Sequence, residues 1–221
     1  MPTVLNDAKL DALLARLHGE SIDQEAAIER YYFHERTGAW TGMEPRDVAF
    51  MADKLEALDK DKAEFCYMIC RAIGARRIVE AGTSFGVSTL YLAAAVRDNG
   101  GGTVFAAERE PTKVAIARAN YAAAGLTQFI ELHEADVTLA CRDFAGPIDF
   151  VLFDIWTDAV RPVLDVVLPR LRPGAIICAD NTGSERARTT YGAMFEILED
   201  PHAFRTMTLP FKGGLEMAVK L

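Results

Sequence analysis

The sequence predicts an α/β fold whose core is a doubly wound, mostly parallel sheet. Three observations carry this. Short β-rich runs alternate with helix-forming runs from residue 77 to the C-terminus. A strand feeds a helix through a glycine-bearing turn, Glu80-Ala-Gly82-Thr-Ser84-Phe-Gly86. An acid stands at or just past the end of each of the first five strands. Strand–helix alternation with buried, apolar strands means a parallel sheet covered by helices on both faces.

In chain order, residues 6–18 predict a first helix. Asn6 suits its N-cap, Leu10, Leu13, Leu14 and Leu17 make one apolar stripe, and Gly19 ends it. Ser21 opens a second helix to about Glu35, with Tyr31, Tyr32 and Phe33 near its end. Residues 37–42 read as a loop around Trp40, and a third helix runs from Pro45 to about Leu58. Residues 59–73 form the helix that leads into the sheet. Strands follow at 77–81, 103–108, 128–133, 148–153 and 175–179, with helices at 86–97, 111–124, 159–171 and 185–199. Asp200-Pro201 breaks the last helix, and strands 204–209 and 214–220 are joined through Pro210-Phe-Lys-Gly213. The chain is read as one domain, 1–221, made of a helical segment, 1–58, and an α/β core, 59–221.

Composition narrows the function. The 221 residues suit one large domain, and half of them are apolar. No apolar run reaches the ~18 residues that span a bilayer, and no signal peptide is legible, so a cytoplasmic protein without a membrane partner is expected. The net charge of −8 argues against nucleic acid, whose binding rests on clustered Lys and Arg. Cys66, Cys70, Cys141 and Cys178 lack zinc spacing and read as reduced, buried small hydrophobes. His18, His34, His133 and His202 read as surface or packed residues.

The chemistry sits at the strand ends, where ligands bind in open α/β sheets. The turn after the first strand is Glu-x-Gly-x-x-x-Gly, not a dinucleotide Gly-x-Gly-x-x-Gly, with Ser84 where a middle glycine would stand. Glu108, at the tip of the second strand, is placed to accept both ribose hydroxyls of an adenosine ligand. The remaining acids are Asp136, Asp154 and the pair Asp180-Asn181. A helix cap or turn explains any one of the five, but explains all of them together poorly.

Glu80, Gly82 and Gly86 followed by Glu108 resemble the cofactor signature of class I S-adenosylmethionine (SAM)-dependent methyltransferases. Phe153-Asp154-Ile155-Trp156, Leu171-Arg-Pro-Gly-Ala175, Ala179-Asp180-Asn181 and the tail Leu209-Pro-Phe-Lys-Gly-Gly-Leu-Glu216 narrow the likeness. Together they resemble the cation-dependent O-methyltransferases related to catechol and caffeoyl-CoA O-methyltransferases. The resemblance implies a seven-stranded, Rossmann-like sheet closed by an antiparallel C-terminal strand, which slots between the two strands before it. It implies SAM as cofactor, a small hydroxylated molecule as substrate, and a homodimer with Tyr31, Tyr32, Phe33 and Trp40 as candidates for its contact or for a substrate lid. Carried over residue by residue, the cofactor contacts fall on Glu80, Gly82, Ser84, Gly86, Ser88, Glu108, Asp136, Asp154 and Trp156. Gly82 would let the methionine part approach, Ser88 would bind its carboxylate, Glu108 the ribose and Asp136 the adenine amino group, with Trp156 against the ring. Metal contacts fall on Asp154, Asp180 and Asn181, hard oxygen donors suited to Mg²⁺, or to Mn²⁺ or Ca²⁺. Asp154 and Thr157 are the catalytic candidates.

One position departs from that pattern. Thr157 stands where the catechol enzymes have a lysine base, and threonine accepts no proton near neutral pH. Other readings therefore stay open: a metal-independent O- or N-methyltransferase, or a cofactor-binding protein without turnover. A nicotinamide oxidoreductase is disfavoured by the missing Gly-x-Gly-x-x-Gly.

Overall fold

The computed structural model describes residues 3–36, 43–144 and 146–221; the expected loop at 37–42, with Trp40, lies outside them. Its centre is a seven-stranded sheet. The strands are β1 (Arg77–Ala81), β2 (Thr103–Glu108), β3 (Ile130–Glu134), β4 (Ile148–Phe153), β5 (Leu171–Asp180), β6 (Phe204–Leu209) and β7 (Leu215–Lys220), in the order β3-β2-β1-β4-β5-β7-β6. β1 to β5 pair in parallel, while β7 runs antiparallel to both neighbours, between β5 and β6. This is the expected topology, including the inserted last strand.

The period of two along each strand divides the core. Ile78, Val104, Phe150, Leu152, Ile176 and Cys178 face one side. There they meet α3 (Lys60–Ala72), α4 (Val87–Asp98) and α5 (Pro111–Ala124). Val79, Ala81, Phe105, Val151, Phe153 and Ile177 face the other, under α7 (Thr157–Val167) and the short α8 (Glu185–Thr190) and α9 (Gly192–Leu198). Glu80 falls between Val79 and Ala81, so it points to the α4 side with Ile78. The four cysteines are buried and free.

The N-terminus differs from the two helices expected there. One continuous helix, α1 (Ala8–Arg30), runs straight through Gly19, and Asp7, not Asn6, caps it by accepting from the Leu10 N–H at 3.1 Å. A single glycine costs a helix only ~1 kcal/mol, less than the burial of Leu10, Leu14 and Leu17 returns. These leucines share the core of α3 and α4. A π-turn, Tyr31–Glu35, ends the helix. α2 is also shorter than expected, Pro45–Met51. Residues 52–59 leave the helical path because α1 holds them: the Ser21 hydroxyl donates to the Leu55 carbonyl and accepts from the Ala57 N–H, both at 3.1 Å, and Gln24 Oε1 accepts from the Leu55 N–H at 2.9 Å.

Three later boundaries move as well. α7 starts at Thr157 and gives way at Pro169 to a 3-10 turn, Leu168–Arg170, where the predicted helix ran to 171. β5 begins at Leu171 with a shifted register, Ile148 pairing Leu171 and Phe150 pairing Ile176, as the residues around Pro173 bulge. The predicted helix 185–199 breaks at Tyr191, before Gly192.

Candidate active site

The parallel strands end along one edge. Glu108 is level with Glu134, and one residue beyond the paired rows Gly82, Asp154 and Asp180 continue the line. Between β1 and α4 the chain makes a tight turn, Gly86 N–H donating to the Thr83 carbonyl at 2.8 Å. Gly82 and Gly86 both have positive φ, +102° and +83°. Their lack of a side chain serves packing directly. A Cβ on Gly82 would sit 1.8 Å from the Asp154 carbonyl oxygen, and one on Gly86 would sit 2.4 Å from the Tyr121 ring.

This turn carries polar atoms that the protein leaves unsatisfied. Glu80 is fully buried; its Oε2 accepts from the Thr83 hydroxyl at 3.3 Å and from Thr89, while its Oε1 has no partner. Ser84 Oγ is likewise buried without a partner. Burial pushes the Glu80 carboxyl up to about 7, against the pull of the Thr89, Ser88 and Thr83 hydroxyls, and the charge of Glu108 adds to the rise. Buried orphans of this kind are rare in native proteins and call for a partner. Glu108 braces the same turn, its two oxygens accepting from the backbone N–H groups of Ser84 at 3.0 Å and Glu110 at 2.9 Å.

Comparison with known proteins identifies the architecture. Residues 79–182 match the family described as a methyltransferase domain, a span that runs from β1 to just past β5. The matched span, 104 of 221 residues, is just under half of the chain. The catechol O-methyltransferase of Niastella koreensis is 27% identical to it over 129 residues, covering 57% of this chain and 58% of that one. That of Mycobacterium tuberculosis is 29% identical over 126 residues, covering 57% and 56%. The chain thus spans little more than half the length of the curated relatives it matches. Among solved structures, the fold is similar to that of the O-methyltransferase from Bacillus cereus in complex with SAH, with TM-score 0.66, 19% identity, and 93% and 100% of the two chains covered. It is also similar to that of the O-methyltransferase TomG from Streptomyces achromogenes, involved in tomaymycin synthesis and in complex with SAM. There the TM-score is 0.67, with 21% identity over 91% and 98% of the two chains.

Within the matched span, Asp154 and Asp180 stand side by side just beyond the Phe153–Ala179 pair of β4 and β5, and Asn181 follows directly. Burial raises the Asp154 carboxyl well above the ordinary range, and the neighbouring charges of Asp180, Glu56 and Glu80 raise it further, with Lys62 opposing. Asp180 is buried and raised in the same way, though the hydrogen bond and charge of Lys62 hold it down. Two carboxylates that repel each other beside an amide have the donor chemistry of a hard divalent ion, although no group of three or more His, Cys, Asp or Glu that could hold a metal stands among the described residues. The orphaned Glu80 Oε1 and Ser84 Oγ fit the donor groups of SAM.

Other expected residues prove to have local duties. Asp136 is exposed and caps α6 (Val137–Ala140), its Oδ1 accepting from the Thr138 and Leu139 N–H groups at 2.9 and 3.3 Å. Ser88, buried at the start of α4, faces Glu80. Trp156 precedes α7 and its ring lies 6.3 Å from that of Tyr32; Thr157 is the first residue of α7. Half-buried Tyr31 stacks on Phe50 at 3.9 Å and donates to buried Asp47 at 2.8 Å, which ties it to α2. Phe33, 78% exposed, is open to a partner. Lys62 was not legible in the sequence: Lys60-Asp61-Lys62 has the look of a solvated helix start, and its burial depends on β5, β7 and the turn before it. No helix among the described residues is long and apolar enough to cross a membrane.

Proposed function

We propose that this protein is a SAM-dependent methyltransferase that methylates an oxygen of a small hydroxylated molecule. The observation that carries the reading is the turn after β1, where two buried polar atoms, Glu80 Oε1 and Ser84 Oγ, lack partners beside the Glu108 carboxylate. SAM, when bound, supplies a methyl group from its sulfonium to the acceptor oxygen, whose proton is released as the sulfonium becomes a thioether. Gly82, Ser84, Gly86 and Ser88 would line the methionine part, and Glu108 would hold the ribose. Asp136, with one oxygen outside its cap, and Trp156 would meet the adenine. Asp154, Asp180 and Asn181 would hold a divalent ion, Mg²⁺ (or Mn²⁺ or Ca²⁺) by the chemistry of its donors, which would supply Lewis acidity toward the acceptor hydroxyl. Catechol O-methyltransferase relatives support oxygen as the acceptor atom.

The chain is read as one domain, 1–221, since α1 shares its core with α3 and α4. Four free buried cysteines suit the cytoplasm, and the net charge of −8 speaks against a nucleic-acid partner. A homodimer with Phe33 in its contact belongs to the same reading; a monomeric mass by light scattering at micromolar concentration would remove it.

The test is direct. A carboxylate pairing with two ribose hydroxyls makes charge-assisted bonds of roughly 1.5–3 kcal/mol. Glu108→Ala should therefore weaken SAM binding at least tenfold by calorimetry (about 1.4 kcal/mol), and an unchanged affinity refutes the assignment. Thr157 offers no base, and a positioned base is typically worth ~10²–10⁴-fold. Catechol turnover should accordingly be slow and should rise in Thr157→Lys. Fast wild-type turnover unaffected by that substitution would show that residue 157 is not at the base position.

A further inference from the structure

Lys62, in the first turn of α3, is 1% exposed. Lysine is almost never fully buried unless paired. Here the Nζ donates to Asp180 Oδ1 at 2.7 Å and lies 3.0 Å from Asp59 Oδ2. The turn between β6 and β7 closes over it, with Phe211 against Phe65 of α3 at 5.5 Å between ring centroids. The other oxygen of Asp180 accepts from Asn181 Nδ2 at 3.0 Å. Both oxygens of Asp180 are thus already held by donors of the chain itself, one of them a full positive charge.

We propose that Lys62 is a built-in competitor for the divalent ion of this site, an inference that rests on the ion reading above. In the ion-free protein its ammonium neutralises Asp180 and keeps the paired strand tips together. A divalent ion arriving between Asp154 and Asp180 meets that charge at close range, where like charges repel strongly in a water-poor site. Asp59 provides the way out. Its side chain is 44% exposed and already within ion-pair distance, so the ammonium can release Asp180 and remain paired on the solvent side. Lys62 therefore sets the affinity for the ion and ties its entry to a short movement between two carboxylates.

The experiment is Mn²⁺ binding to the full chain without SAM, followed by electron paramagnetic resonance of the free ion. Lys62→Gln should bind Mn²⁺ at least tenfold more tightly than wild type. Asp59→Asn, which removes only the outer partner, should bind it at least threefold more weakly. That loss should vanish in the double variant, because without Lys62 there is no ammonium to relocate; a simple loss of nearby negative charge would persist. If Lys62→Gln is too unstable without the ion, the melting temperature supplies the readout: added Mn²⁺ should raise it more in the variant than in wild type. Equal or weaker Mn²⁺ binding by Lys62→Gln, or an Asp59 effect that survives in the double variant, overturns the competitor role alone. No saturable binding by any variant overturns it together with the ion reading.

Discussion

Gly82→Ala should cost at least about 3 kcal/mol of stability, from left-handed backbone strain and overpacking together. The new Cβ would stand 1.8 Å from the Asp154 carbonyl oxygen and 2.6 Å from its carbonyl carbon. Neither atom belongs to a flexible side chain. Both are backbone at the tip of β4, where the Asp154 N–H also donates to the Ala81 carbonyl at 2.9 Å. Relief requires β1 and β4 to part, and the φ of +102° adds strain wherever they settle. For a domain of this size the melting temperature should fall by roughly 6–12 °C. Gly19→Ala is the matched control: nothing lies within 4 Å of its Cβ and it sits in mid-helix, so the exchange should stabilise by ~0.5–1 kcal/mol. Equal melting of wild type and Gly82→Ala would mean that β1 and β4 do not approach so closely. SAM binding should fall with stability in Gly82→Ala, since the displaced Asp154 borders the same turn.

That contact also marks how far the sequence can be read. The alternation of strand and helix, the two glycines and the acids made the sheet and its ligand edge legible, because strand period and turn chemistry are local. The reason for Gly82 was not, since the atom it avoids lies 72 residues away, at Asp154. Glu80 was read as the acid ending a strand, yet the period of two turns it to the α4 side, into a set of hydroxyls. Asp136 had a cap as its simplest reading, and a cap is what its Oδ1 makes. At the N-terminus, Gly19 and Asn6 gave a helix stop and a cap that packing overrode, because burial of a leucine stripe outweighs one glycine. Lys62 had no local sign at all. Its burial depends on a carboxylate 118 positions further on.

The buried Glu80 should make the stability of this protein depend on pH in a direction opposite to that of most carboxylates. Its ordinary value is 4.5, and burial without an ionic partner raises it to about 7 in the fold. The folded state therefore holds the proton more tightly than the unfolded chain. Below 4.5 both states are protonated and the full contribution is present; it is lost progressively as the pH rises from 4.5 to 7. The span of 2.5 units corresponds to about 3 kcal/mol. Glu80→Gln imitates the protonated side chain, keeps an acceptor for Thr89 and cannot ionise. Denaturant unfolding from pH 4.5 to 8 should show the variant gaining on wild type by about that amount, and parallel curves would refute it. The cofactor adds a second readout. A cationic ligand near Glu80 favours its ionised form, so SAM should bind wild type more tightly as the pH rises from 5 to 7, with release of a proton. Glu80→Gln should remove that slope. If the slope persists in the variant, the proton belongs to another group of the site, and Glu80 is no neighbour of the ligand's charge.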